Sequence, residues 1–294
     1  MREITAVQIA DAVARLCVEA NTDAGADITT ALERALKIET DGMPRRVLEA
    51  LLENAKIAKE EHIPICQDTG MAVVFAELGQ DIHITGGALD DAINDGVRRG
   101  TREGYLRSSV VRDPVRRDNT LDNTPAVVHL SLVPGSGLRL IVAPKGFGSE
   151  NMSAVKMLKP ADGLEGLERF VLETVQTAGG NPCPPVIVGV GAGGTFELAA
   201  LLSKKALLRE VGTENPDPFW DEAEKRLLAA INELGIGPGG FGGKTTALAV
   251  HINPYATHIA GLPVAVNIGC HVTRHKETTL PPPDAGKRDG DVTL

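Results

Sequence analysis

Apolar residues recur at three- and four-residue spacing through the first sixty positions. Ile9, Val13 and Leu16 mark one stripe, and Val47, Leu48, Leu51, Leu52 and Ala55 mark another. Residues 4–62 therefore predict helices. Asp27-Ile28-Thr29-Thr30 offers a start signal, and Pro44 stands where a first-turn proline is tolerated. Met71–Ala76 is an apolar run that predicts a strand, and a helix is expected from Gly87 to Arg99. From Ala126 the pattern changes. Val127–Val133 and Leu138–Ala143 flank Pro134-Gly135-Ser136-Gly137, which predicts two strands joined as a hairpin. Further helices are expected over Gly163–Ala178, Glu197–Leu208 and Trp220–Leu234. Strands are expected over Pro185–Val190, Thr246–His251 and Leu262–Ile268. Strands and helices mix without regular βαβ alternation, so the fold class is α+β: a helix-rich amino-terminal part, then mixed strands and helices. No internal repeat is visible.

Composition narrows the function classes. At 294 residues the chain has room for one large domain or two smaller ones. Aromatic residues make up 3%, so the core must be built from Ala, Val, Leu and Ile. The net charge of −9 argues against general nucleic-acid binding, although a few Arg, Lys and backbone N–H groups can still build a local pocket for a small anion. No stretch approaches the roughly 20 apolar residues of a membrane span. The opening Met1-Arg2-Glu3-Ile4-Thr5 lacks a signal-peptide core, so a cytoplasmic location is expected. In that compartment four cysteines point to metal or catalytic roles before disulfides.

Two glycine stretches resemble nucleotide motifs and fail as such. Gly189-Val190-Gly191-Ala192-Gly193-Gly194 satisfies G-x-G-x-x-G after an apolar strand. However, the acidic-tipped second strand that a dinucleotide site needs is replaced by the loop-like Arg209–Pro216. Gly243-Lys244-Thr245 would need a glycine at 238 to be a phosphate loop, and that position is Pro238.

The cysteines divide three to one. Cys17 lies in a helical stripe, where a thiol is a small hydrophobe. Cys66 (Pro-Ile-Cys-Gln-Asp-Thr-Gly), Cys183 (Asn-Pro-Cys-Pro-Pro) and Cys270 (Asn-Ile-Gly-Cys-His) all lie in loop-type segments, separated by 117 and 87 residues. Those separations are too long for ferredoxin runs, zinc knuckles or C-x-x-C motifs. Residue types alone leave buried thiols, a zinc module and an iron–sulfur cluster all open. A cluster held by three thiolates would keep one iron free of protein ligands, and such an iron is a Lewis acid.

The flanking segments carry a resemblance. Cys66-Gln67-Asp68-Thr69-Gly70, Asn119-Thr120-Leu121-Asp122-Asn123-Thr124-Pro125-Ala126 and Lys145-Gly146-Phe147-Gly148-Ser149-Glu150-Asn151 join the glycine run at 189–194 and Asn267-Ile268-Gly269-Cys270-His271. Together they resemble the alpha subunit of the class I iron–sulfur fumarate hydratase and L-tartrate dehydratase family, which corresponds to the amino-terminal domain of its single-chain forms. Residues 1–280 would form the alpha-type catalytic domain, with a Pro-, Gly- and Asp-rich tail over 281–294 expected to be mobile. Two departures stand out. Leu121 occupies a usual glycine position, and Phe147 stands in a loop that is often richer in glycine.

The resemblance implies a [4Fe–4S] cluster on Cys66, Cys183 and Cys270, with one iron not ligated by protein. It implies substrate contacts from Gln67, Asp68, Arg107 and the backbone of Gly148, with Asp68 as the proton carrier and His258 as its relay. Without it, Asp68 reads as a turn carboxylate, Arg107 as a surface ion-pair residue, Gly148 as a turn and His258 as a hydrogen-bonded histidine. The implied activity is hydration of fumarate to L-malate, with L-tartrate or mesaconate chemistry as the alternative. A separate beta subunit would complete the site and supply the carbon base in an alpha2beta2 heteromer, so the chain alone is expected to be inactive. An electron-transfer protein would instead need a fourth protein ligand to the cluster, and a zinc module would need a four-ligand site.

Overall fold

The computed structural model describes residues 2–281, so the expected tail lies, but for Pro281, outside the described residues. The chain divides into two compact units, each assembled from separated segments. The first unit takes the chain up to Asn21, Met71–Pro144 and the chain from His275; the second takes Thr22–Gly70 and Lys145–Arg274. Among the described residues no helix is long and apolar enough to cross a membrane.

In the first unit β1 (Arg2–Thr5) leads into α1 (Ala6–Thr22). Thr5 and Gln8 form a reciprocal cap: Gln8 N–H donates to Thr5 Oγ1 (3.2 Å) and Thr5 N–H to Gln8 Oε1 (2.9 Å). The predicted stripe of Ile9, Val13 and Leu16 is buried, as is Cys17, whose thiol burial pushes up to about 12. A thiol so hard to ionise is a core group, as the helical pattern predicts.

The remaining elements of this unit are β2 (Met71–Gly79), β3 (Ile82–Thr85), α4 (Leu89–Glu103), β4 (Val127–Val133), β5 (Leu138–Lys145) and β10 (Lys276–Leu280). β1 pairs in parallel with β3, and the larger sheet runs β10-β5-β2-β4. The expected hairpin is therefore absent, although both of its strands exist. β2 is inserted between them, pairing in parallel with β4. The glycine turn wraps the end of β2: Gly79 N–H donates to Gly137 O (2.8 Å) and Asp81 N–H to Gly135 O (3.1 Å). Turn chemistry fixed the reversal of the chain but not which strand lies beside which.

Leu121 adopts φ 69° with its side chain 76% exposed. Left-handed backbone costs a residue with a Cβ about 1–2 kcal/mol, and an exposed side chain returns little of that. Leu121→Gly is expected to raise stability by about 0.5–1 kcal/mol, after allowing for the greater entropy that glycine brings to the unfolded chain. Urea denaturation measures it, and a lower stability would show that the side chain has a role in packing.

The second unit opens with α2 (Ala26–Ile38) and α3 (Met43–Glu61, Pro44 in its first turn). It continues through the single-turn α5 (Phe147–Glu150), β6 (Ala154–Leu158), α6 (Gly163–Ala178), β7 (Val186–Gly194), α7 (Phe196–Ala206), α8 (Pro218–Glu233), β8 (Ala247–Thr257) and β9 (Leu262–Gly269). Its sheet runs β6-β9-β7-β8, with β8 parallel and β9 antiparallel to β7. Alternation along β7 sends Val186, Val188, Val190 and Ala192 into the core with α6 and α8. Ile187 faces the other way, into the cluster formed with α2 and α3. Gly189 and Gly191 share that second face. A Cβ on Gly189 would run into Ser203 O, and one on Gly191 into Ala199 O. The G-x-G-x-x-G run is thus a seam where α7 lies against the strand, not a phosphate cradle.

Candidate functional site

The topology of the second unit gathers the three loop cysteines. Cys183 stands three residues before the start of β7, and Cys270 immediately follows β9. Since Ile187 pairs with Gly269, both thiols emerge at the same end of the sheet. Cys66 comes from the loop after α3; burial is the main reason that the Cys183 and Cys270 thiols are pushed up, and the nearness of Cys66 adds to both. All three are free: Cys183 is exposed, and Cys66 and Cys270 are half-buried.

Hydrogen bonds tie the loops to one another. His271 Nδ1–H donates to Cys183 O (2.9 Å), fastening the third cysteine loop to the second. Burial pulls the His271 imidazole below its ordinary value, so the ring is neutral and suited to that single donation. Arg274 donates to Val272 O (3.0 Å) and to Asp68 O (3.0 Å), linking the third loop to the first. Asp68 N–H donates to Cys66 Sγ (3.4 Å), the geometry that stabilises a sulfur carrying negative charge. Cys183 has φ 55°, a left-handed backbone held by Cys183 N–H to Gly180 O (3.2 Å).

Asp68 fastens the first loop to the start of α5. Its Oδ1 accepts from Gly70 N–H (2.9 Å) and its Oδ2 from Phe147 N–H (2.8 Å). Next to it Gly70, at φ 76°, crosses the Lys145 backbone so closely that a Cβ would lie 2.7 Å from Lys145 C. Only glycine fits that crossing. Gly148 faces the Cys183 loop, where an added Cβ would lie 3.9 Å from Asn181 O.

A buried polar network lies behind Cys270. Lys145, 9% exposed, donates to Ser149 Oγ (2.8 Å) and pairs with Glu150 (3.3 Å), which also pairs with Lys204 (2.6 Å). Asn267 Nδ2–H donates to Glu150 Oε2 (2.9 Å) and Ser153 Oγ (3.1 Å), and its Oδ1 is buried without a hydrogen bond among the described residues. Burial raises Glu150, but Lys145 and Lys204 outweigh it and hold the carboxylate below its usual range. Burial lowers Lys145 despite Glu150. The Cys270 thiol is pushed up by burial, while Arg274, the Val272 N–H and Lys145 pull it down. Two cations therefore face a thiol that ligation would have to deprotonate.

The sequence singled out Cys66, Gln67, Asp68, Gly148, Cys183 and Cys270, and all six belong to these linked loops. Gln67 is exposed, with Oε1 3.5 Å from Cys66 Sγ. Arg107 lies in the first unit, exposed on the loop after α4, its carbonyl accepting from Asn123 Nδ2–H (2.9 Å). His258 is not brought to its own chain's cysteines. β8 runs parallel to β7, so the loop after Thr257, which pairs with Gly194, lies at the opposite end from Cys183. The nine residues of β7 separate the two ends, roughly 25 Å. Lys145, Arg274 and the tether role of His271 escaped the sequence reading. The signals available were a lysine opening the Lys145–Asn151 motif and an arginine four residues past Cys270.

Among the described residues no three His, Cys, Asp or Glu side chains stand close enough to ligate one metal ion. The donor chemistry fits a larger iron–sulfur group: three unpaired thiols on three linked loops, with Lys145 and Arg274 available to offset thiolate charge.

A profile of the fumarate hydratase (Fumerase) family matches residues 10–279. A Methanocaldococcus jannaschii protein provisionally named L(+)-tartrate dehydratase subunit alpha is 43% identical over 274 residues, covering 91% of this chain and 96% of that protein. The L(+)-tartrate dehydratase subunit alpha of Escherichia coli K12 is 33% identical over 276 residues, covering 93% of this chain and 90% of that protein. Hydro-lyase membership and alpha-subunit type follow from these matches together. The chain belongs to the fumarate hydratase (Fumerase) family, as a hydro-lyase chain of the alpha-subunit type.

Proposed function

We propose that the chain is the alpha subunit of a [4Fe–4S]-dependent hydro-lyase that interconverts fumarate and L-malate in an alpha2beta2 complex with a separate beta subunit. The observation that carries this reading is the emergence of three free thiols at one end of the β7–β9 sheet, beside two buried cations. Cys66, Cys183 and Cys270 would hold the cluster, which when bound supplies a Lewis acid that makes hydroxide a better leaving group.

The chain's own residues bind, orient and move the proton. The Gln67 amide beside Cys66 is free of secondary structure and open to solvent, placed to hydrogen-bond a substrate oxygen. Asp68 accepts one backbone N–H on each oxygen, which fixes the carboxylate plane and leaves a lone pair on each for a proton. Arg107 would clamp a substrate carboxylate in bidentate fashion, and Gly148 N–H would bind the other. His258, far from its own Cys183, can relay a proton only at the site of a second alpha chain, in keeping with a paired assembly. The base that takes the carbon-bound proton is assigned to the beta subunit.

L-tartrate is the second reading, favoured by the names of both relatives. The substrates differ by one hydroxyl, and a buried group left unpaired at that position decides between them. Co-expression with a beta-type chain, anaerobic reconstitution and turnover assays on L-malate, L-tartrate and mesaconate test the proposal. Malate turnover by the complex, with none by the alpha chain alone, is expected. Tartrate turnover without malate turnover selects the second reading, and a complex inert on all three overturns both.

A further inference from the structure

The glycine-rich stretch that fails as a phosphate loop has another part to play. Residues 237–243 hold five glycines at positive φ around the short turn Pro238–Gly240. This loop grips both flanks of Cys183. Gly239 N–H donates to Pro184 O (2.7 Å) on one side. On the other, Gly240 meets Gly180 backbone to backbone, where a Cβ on Gly240 would lie 2.9 Å from Gly180 Cα.

A loop built of glycine does not hold such a shape by itself. Its anchor is Glu39, the residue that ends α2 and is 7% exposed. Oε1 accepts from Lys244 N–H (2.8 Å), Thr40 N–H (2.8 Å) and Thr40 Oγ1–H (3.1 Å). Oε2 accepts from Lys244 N–H (3.0 Å) and Thr245 N–H (3.0 Å). Its charge is met by backbone donors and one hydroxyl, with no Lys or Arg pairing to it among the described residues. Burial alone would raise its pKa, but those donors outweigh burial and hold the carboxyl below its usual range. Such a carboxylate, closed around the chain's own amides, is a fastener between α2 and the loop.

We infer that Glu39 is a positioning residue for Cys183: through loop 237–245 it sets where the second thiol of the cluster site stands, while touching neither cluster nor substrate. The inference rests on the reading of Cys183 as a ligand. Two readouts separate it from that reading. In the iron-free alpha–beta complex, peptide mass spectrometry follows iodoacetamide alkylation of Cys183 against Cys66. In the reconstituted complex, iron loss to a chelator is timed.

Glu39→Gln removes one charged acceptor, worth about tenfold in the ratio of unseated to seated loop. Cys183 alkylation through the unseated loop is therefore expected to rise by up to about that factor with Cys66 unaltered, and iron release to accelerate similarly. Turnover per bound cluster should stay at the wild-type value, which a catalytic role would not allow. Should Glu39→Gln fail to accumulate, Glu39→Asp keeps the charge but cannot span Lys244 and Thr245 at once, and it carries the same expectation. Unchanged Cys183 alkylation in a folded variant overturns the inference. Wild-type protein that takes up no iron or sulfide overturns the ligand reading instead, and the alkylation result still decides the role of Glu39.

Discussion

Cys183→Ser in the alpha–beta complex is expected to lower hydro-lyase turnover by at least about a thousandfold, the scale on which loss of transition-state charge stabilisation is felt. The same variant should fail to retain stoichiometric iron and sulfide after anaerobic reconstitution. Serine is a hard, weakly acidic ligand in a place that asks for thiolate. Cys66→Ser and Cys270→Ser should behave alike, because the three loops are fastened as one body by His271, Arg274 and Asp68. Cys17→Ala is the control. That thiol is 3% exposed, belongs to the core of the other unit and is pushed up to about 12, so iron content should not change. Iron and sulfide assays with visible absorption read the result independently of turnover. Full iron content in any of the three loop variants would remove that cysteine from the ligand set.

Much of this molecule was legible because its signals are local. The helix over Gly163–Ala178 matches α6 end to end, and Pro44 stands in the first turn of α3 as its chemistry demands. Signals that depend on distant partners were not legible. Nothing in Val127–Ala143 records that Met71–Gly79 will insert between its two strands, since strand order is set by packing across the whole sheet. β1, β3, β6 and β10 are four or five residues each, too short to print a period. At the site, the loop cysteines stood out because proline and glycine flank them, and a thiol in such company is unusual. Lys145 and Arg274 did not, because a lysine or arginine reads as a surface residue until the fold buries it: they end up 9% and 4% exposed. His258 shows the opposite case. Twelve residues from Cys270 is close in sequence, but β9 is extended and carries the two apart along its full length.

Acid should weaken the fold well before its carboxylates titrate, because of His251. This residue lies on β8, is 2% exposed, and donates its Nδ1–H to Ala206 O (3.1 Å). Burial is the main reason its pKa falls to about 4, and Arg209 adds to it; Glu224 and Asp27 pull the other way. Arg209 is itself held by both oxygens of Glu224, which also accepts from Asn215 Nδ2–H (2.7 Å) and Ile252 N–H (2.6 Å), so the pair cannot turn to meet an imidazolium. The sign follows from where the proton goes. Between the unfolded value near 6.5 and the folded value of about 4, the unfolded chain binds a proton that the folded chain refuses. Stability is therefore fully present above pH 6.5 and drains away as pH falls to 4, by about 3 kcal/mol in all. His271, also lowered by burial, contributes in the same direction. Glu39, with its lowered pKa, acts only below the ordinary carboxylate range, so the histidine window above pH 4.5 is separate from it. His251→Gln keeps an N–H for Ala206 O and removes the titration. Urea unfolding from pH 7.5 to 4.5 should show a steep loss in the wild type and a curve flatter by about 2–3 kcal/mol in the variant. Parallel curves would mean that a group other than His251 carries the acid sensitivity.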